Sequence, residues 1–122
     1  EFQKLIDVLD ALLAPDGCEW DRKQTHESLI PYLLEETYET LEAIDSGIST
    51  RVEEELGDIV TQIVFHADIA SREGLFDAAS ITRSVREKLV RRHPHVFGDD
   101  DGVEVAEFVT EISQSIGHEN LV

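Results

Sequence analysis

Apolar residues return at every third or fourth position along most of the chain, and no stretch sustains the alternation of a strand. Phe2, Leu5, Ile6, Leu9, Leu12 and Leu13 describe a first amphipathic helix, closed by Pro15-Asp16-Gly17. Ile30, Leu33, Leu34, Leu41 and Ile44, with Tyr38 at the edge, give a second helix its expected buried stripe. Pro31 is compatible with that helix only in its first turn, Thr25 or Ser28 is the expected cap, and Gly47 the left-handed stop. Thr50-Arg51-Val52-Glu53 has the capping-box pattern and opens a third helix. Its Ile59, Val60, Ile63, Val64, Phe65, Ala67 and Ala70 are apolar on more than one side, which makes it the central one. After the turn Gly74-Leu75-Phe76-Asp77, a fourth helix carries Ile81, Val85, Leu89 and Val90, and His93-Pro94-His95-Val96-Phe97-Gly98 reads as its closing turn. The expected fold class is therefore all-α, a four-helix-bundle-like domain over 1–98. An acidic linker, 99–102, then leads to an additional C-terminal helix over 103–122, with Val105, Phe108, Val109, Ile112 and Ile116 on one side and Gly117 as its stop.

Composition narrows the range of partners. A chain of 122 residues supplies one domain with one core. With 10 Lys+Arg against 27 Asp+Glu the formal charge is -17, which speaks against nucleic-acid polymers and anionic membranes. The single Cys18 rules out an intrachain disulfide framework and suits a reducing compartment such as the cytoplasm. No apolar run approaches the ~18 residues of a spanning helix, and no signal peptide is visible. The absence of any Met makes Glu1 read as an internal boundary of a longer protein.

The chemistry-bearing positions fall on the second and third helices. Glu36 and Glu39 share a face, as do Glu55 and Asp58, because positions three or four apart in a helix are neighbours. If the helices run antiparallel across Asp45-Ser46-Gly47, four carboxylates converge where unpaired anions repel and lose hydration. A cation is then required. Oxygen-only ligands favour a hard one, Mg²⁺ or Mn²⁺, which also takes up phosphates. The blander reading, an acidic helix start facing water, accounts for Glu53 and Glu54 but not for Asp58, nor for Gly57, whose missing side chain admits a close neighbour. Glu35 and Glu42 point elsewhere, although Glu35 is near enough to orient a water.

Other positions carry paired readings. Trp20, in the polar segment 18–24, reads first as a plug for the end of the bundle and second as a platform for a planar base. His66 is expected to be a hydrogen-bonded interior or interface histidine rather than a ligand, and His93 and His95 belong to a polar turn. Arg83, Arg86, Lys88, Arg91 and Arg92 bring half of the basic residues into ten positions. They either compensate a helix dipole or, through Lys88 and Arg92 on one face, grip phosphates. A carboxylate-bridged di-iron or di-manganese bundle would also gather acids, but its Glu-x-x-His spacing is absent. A helical interaction module whose acids are only a charged surface is the reading from another class.

Four blocks in order, Trp20-Asp21-Arg22-Lys23-Gln24-Thr25, Leu34-Glu35-Glu36-Thr37-Tyr38-Glu39, Glu54-Glu55-Leu56-Gly57-Asp58 and Arg91-Arg92-His93-Pro94-His95-Val96-Phe97, resemble the MazG family of nucleoside triphosphate pyrophosphohydrolases over about residues 1 to 98. The resemblance implies an all-α, Mg²⁺-dependent enzyme, a homodimer or dimer of dimers, that converts a nucleoside triphosphate to the monophosphate and pyrophosphate and clears non-standard or damaged nucleotides. It places metal ligands at Glu36, Glu39, Glu55 and Asp58, phosphate contacts at Lys88 and Arg92 with Arg51 and Arg91 beside them, and a substrate or interface contact at Trp20. The Trp-Glu pair and following Lys expected of the family in the last helix are absent from 103–122. The alternative is a weakly active or inactive helical dimerisation or interaction domain of a larger MazG-like protein.

Overall fold

A computed structural model of the chain describes residues 1–98. The linker and last helix expected over 99–122 lie outside the described residues. Six helices follow in order: α1 (Phe2–Leu13), α2 (Glu19–Arg22), α3 (Ile30–Ser46), α4 (Ser49–Arg72), α5 (Ala78–Arg91) and α6 (Pro94–Phe97). No strand occurs among the described residues, so the all-α expectation holds. The chain divides into two compact units, Glu1–Ala78 and the part from Ala79 onward.

In the first unit α3 and α4 form a helical hairpin and α1 lies against α4. The hairpin turns at Gly47, whose φ of 71° is the left-handed conformation that glycine adopts without a Cβ penalty. Leu9 and Leu13 of α1, Leu29 just before α3, and Val64, Phe65 and Ile69 of α4 make the core, with Leu5, Ile6 and Val60 packed at its margin. This fits the spacing of α1, except that Phe2 and Leu12 stay exposed. Leu29 is only 1% exposed and locks the start of α3 in place; cutting such a side chain back to Ala costs roughly 2–5 kcal/mol.

The expected stripe of α3 is overturned. Ile30, Leu33, Leu34, Leu41 and Ile44 are all exposed, and so is Tyr38. The face of α3 that is covered instead carries Thr40 and Ala43, with Glu36 and Glu39 half-buried beside them. Small side chains let two helix backbones approach closely, so the hairpin closes on Thr40 and Ala43 and leaves the large aliphatic residues outside. Helix α4 also begins without the expected capping box. Its cap residue is Ile48, no side-chain cap bond forms, and Ser46 Oγ accepts the Ile48 N–H at 3.1 Å. Its far half is buried as expected, through Val64, Phe65, Ala67, Ile69 and Ala70, but Ile63 is exposed.

Two expected loops contain short helices. Residues 19–22 of the polar segment wind into α2, and 94–97 into α6. Trp20 is not a plug: it is 51% exposed and meets Tyr32 edge-on, the ring centroids 5.7 Å apart. Thr25 and Ser28 do not cap α3 itself, which starts after Leu29; they close the turn ahead of it. In the second unit, α5 has no fully buried residue. Its helical path continues far enough for the Arg92 N–H to donate to Lys88 O at 3.0 Å, which puts those two side chains on one face.

Candidate metal centre

The hairpin brings together the four acids that the spacing singles out. Glu36, Glu39, Glu55 and Asp58 each offer a carboxylate oxygen, and these oxygens all lie within 4.8 Å of one another. Three of the residues are half-buried and Asp58 is exposed, so the cluster is a rim with one open side. One oxygen of Glu36 and one of Glu55, both buried, have no hydrogen-bond partner. A buried carboxylate oxygen without a donor is costly, and here two occur in one place.

The protonation of the cluster records the same strain. Burial, followed by the charges of Asp58, Glu39 and Glu55, pushes the Glu36 carboxyl up to about 7. Burial and then Glu39 raise Glu55 as well. Thr40 gives no relief, since its hydroxyl donates to the Glu36 backbone carbonyl at 2.8 Å. The donor set fits a hard divalent cation: every donor is oxygen, two donors are orphaned, and a 4.8 Å span is close to the ~4.2 Å across an octahedral Mg²⁺. A small closing movement of flexible carboxylates suffices.

The remaining expected site residues are placed individually. Glu35 and Glu42 are exposed and outside the cluster, as their angles on α3 require. Arg51 is exposed in the first turn of α4. Lys88 and Arg91 are exposed on α5 and Arg92 is half-buried just beyond it, all three in the second unit. Two elements escaped the pattern reading altogether. Tyr32, in the first turn of α3, supports Trp20, and His26, in a polar loop, pairs with His66 of α4 at 2.7 Å. The interior role expected of His66 holds, but no periodicity in the sequence points to its partner forty residues away.

An all-helical domain whose central hairpin gathers four acids defines a class, the helical domains built around a carboxylate cluster. The chain belongs to the MazG family: residues 24–97 match the model of the MazG nucleotide pyrophosphohydrolase domain. A nucleoside triphosphate pyrophosphohydrolase/pyrophosphatase MazG of Thermotoga maritima is 55% identical over 101 residues, 83% of this chain and 40% of that protein. A nucleoside triphosphate pyrophosphohydrolase of Escherichia coli K12 is 40% identical over 115 residues, 93% of this chain and 44% of the relative. The chain thus spans less than half the length of these curated relatives. Among solved structures, a mazG-related protein from Thermotoga maritima superposes with a TM-score of 0.69 at 28% identity, covering 93% of this chain and 98% of the other.

Proposed function

We propose that this domain hydrolyses a nucleoside or deoxynucleoside triphosphate to the monophosphate and pyrophosphate, with Mg²⁺ as its cation and Mn²⁺ as a substitute. The convergence of Glu36, Glu39, Glu55 and Asp58, with two buried oxygens left without donors, carries the reading. Those four residues would hold the ion. When bound, it supplies charge neutralisation for the triphosphate and favours attack by water.

The other roles belong to side chains of the chain. A carboxylate, Glu35 or one of the four, takes the proton of the attacking water. The water oxygen joins the α-phosphorus, the bond to the bridging oxygen breaks, and pyrophosphate leaves with that electron pair. Lys88 and Arg92, on one face, with Arg91 and Arg51, are the groups suited to the phosphate oxygens. Trp20, exposed and braced by Tyr32, offers a ring to the base. The apolar side chains that α3 leaves uncovered support a homodimer or dimer of dimers. Leu41 and Ile44 are more than half exposed, and Ile44 joins Val52 and Leu56 in an open groove of about 550 Å³. No described helix is long and apolar enough to cross a membrane. Clearance of non-standard nucleotides in the cytoplasm is the role this activity would serve.

The test is hydrolysis in ¹⁸O-labelled water. Label is expected in the nucleoside monophosphate; label in pyrophosphate, or release of free orthophosphate, rejects the route. A second reading, an interaction domain without activity, draws on the same exposed face of α3. It requires a thermal midpoint that does not respond to Mg²⁺ with nucleotide, whereas a ligand held by the folded state must raise it.

A further inference from the structure

The loop between α2 and α3 is braced by its own side chains. The Gln24 amide donates to Trp20 O at 3.0 Å, and the Ser28 hydroxyl donates to Gln24 Oε1 at 2.7 Å. Thr25 and Ser28 exchange bonds: the Thr25 N–H donates to Ser28 Oγ at 2.8 Å and the Ser28 N–H to Thr25 Oγ1 at 3.1 Å. These bonds tie residues 20–28 to one another, and none of them reaches α4. His26 does. Its Nδ1 lies 2.7 Å from Nδ1 of His66, with the rings within 7° of parallel and their centroids 4.9 Å apart.

Between two ring nitrogens at that distance there is room for one hydrogen. A neutral pair sets one Nδ1–H against the other ring's lone pair. A pair with one extra proton keeps that bond, now charge-assisted. With two extra protons, N–H opposes N–H and the rings must part. His66 has no second bond to fall back on, because its Nε2 is buried without a partner, as is Gln62 Oε1 one turn earlier.

Carboxylates that would steady a charged pair are engaged elsewhere. On α4, Asp68 pairs with Arg72 at 3.0 Å and lies beside Asp10 of α1; on α3, Glu36 and Glu39 belong to the acid cluster; and Glu27, next to His26 in the chain, is exposed. Burial, then the His26 charge, holds His66 below the usual histidine value of 6.5.

We propose that His26 and His66 form a proton-gated clamp that fixes the 20–28 loop, and Trp20 with it, onto α4. It is closed while the two rings share one bonding proton and open once both are charged. Just below pH 6.5 the unfolded chain binds more protons at His66 than the folded chain does, so the clamp's stabilisation is lost as pH falls from that value. Glu36 and Asp10, raised to about 7 and about 6, act with the opposite sign, so a comparison of two proteins isolates the clamp.

Trp20 is the only tryptophan in the chain, which makes its emission a direct reporter. Fluorescence anisotropy of the full chain would be followed from pH 7.5 to 5.0, alongside melting, for the unaltered protein and His26→Asn. Expected are an anisotropy that falls on acidification in the unaltered protein, a low and flat one in the variant, and a melting midpoint that loses ~4 °C more in the unaltered protein than in the variant. Parallel anisotropy curves, or equal losses of midpoint, would overturn the clamp. If His26→Asn does not fold, ¹⁵N histidine spectra of the unaltered chain decide. The clamp requires one ring of the pair to be the Nδ1–H tautomer at pH 8, and two independent Nε2–H rings would refute it.

Discussion

Two polar sites occupy α4 roughly 12 Å apart along its axis. Glu55 and Asp58 meet Glu36 and Glu39 at one end, and His66 meets His26 further along. Both sites contain buried atoms without hydrogen-bond partners, and both concentrate like groups. Desolvation disfavours the charged form in each, which raises Glu36 and lowers His66. A carboxylate is charged when it has lost its proton, so the acids need a proton or a cation. An imidazole is neutral at that point, so the histidines satisfy each other. Similar burial thus leaves one site in need of a proton or a cation and makes the other a self-contained hydrogen bond.

The largest effect that separates the two sites is expected from Glu39→Gln. Loss of one donor from the cluster should lower pyrophosphate release ~100-fold or more, because even partners outside the ligand set cost 10- to 100-fold. The same change should not lower the melting midpoint without metal, since it removes a like charge. A midpoint that falls together with activity would show that Glu39 serves the fold instead.

Next in size is the response to metal. At a hundred times its dissociation constant Mg²⁺ should stabilise the chain by about 2.7 kcal/mol. Glu36 must give up its proton to bind, so the Mg²⁺-dependent rise in midpoint should grow as pH increases through about 7. EDTA should abolish it. A rise independent of pH would place the ion away from Glu36.

Without metal, Glu36→Gln isolates the acid site. A carboxyl raised to about 7 from its ordinary 4.5 contributes stability that is fully present below 4.5 and lost as pH climbs toward 7. Replacing it with a neutral amide should add about 1–2 kcal/mol at pH 8, after allowance for solvent screening, and nearly nothing at pH 4. Urea denaturation at the two pH values checks the difference. His26→Asn should leave that difference intact, since the two sites share no partner and their effects add; its own cost appears above 6.5, where the clamp is closed.

The sequence disclosed the acid site better than the helix that bears half of it. Glu36, Glu39, Glu55 and Asp58 converge as helical spacing and a short connection require, because neighbours on a helix are fixed by geometry. The orientation of α3 departs from its pattern for a physical reason. Its large aliphatic residues resemble a buried stripe, but the hairpin closes on Thr40 and Ala43 and the stripe faces outward. Hydrophobic periodicity shows that a face seeks cover without saying which body covers it. The partnership of His26 and His66 was illegible because it depends on where a polar loop crosses a helix, and no repeat in the chain encodes that crossing.

Gly57, between Glu55 and Asp58, offers the smallest and finest test of the acid end. A Cβ added there would meet nothing within 4 Å, so the described fold does not require the glycine. In the interior of α4 it costs roughly 0.5–1 kcal/mol relative to alanine. Gly57→Ala should therefore raise the melting midpoint by a few degrees, about what such an energy yields in a domain of this size. If the open side of the cluster receives a substrate or a second copy of the chain, the new methyl group intrudes on that neighbour. A more stable protein with a lower kcat/KM, or a weaker dimer by light scattering, is then the expected pair of results. Higher stability with unchanged turnover and assembly would mean that the ligand and partner approach the four carboxylates from elsewhere, leaving Gly57 without a role at the site.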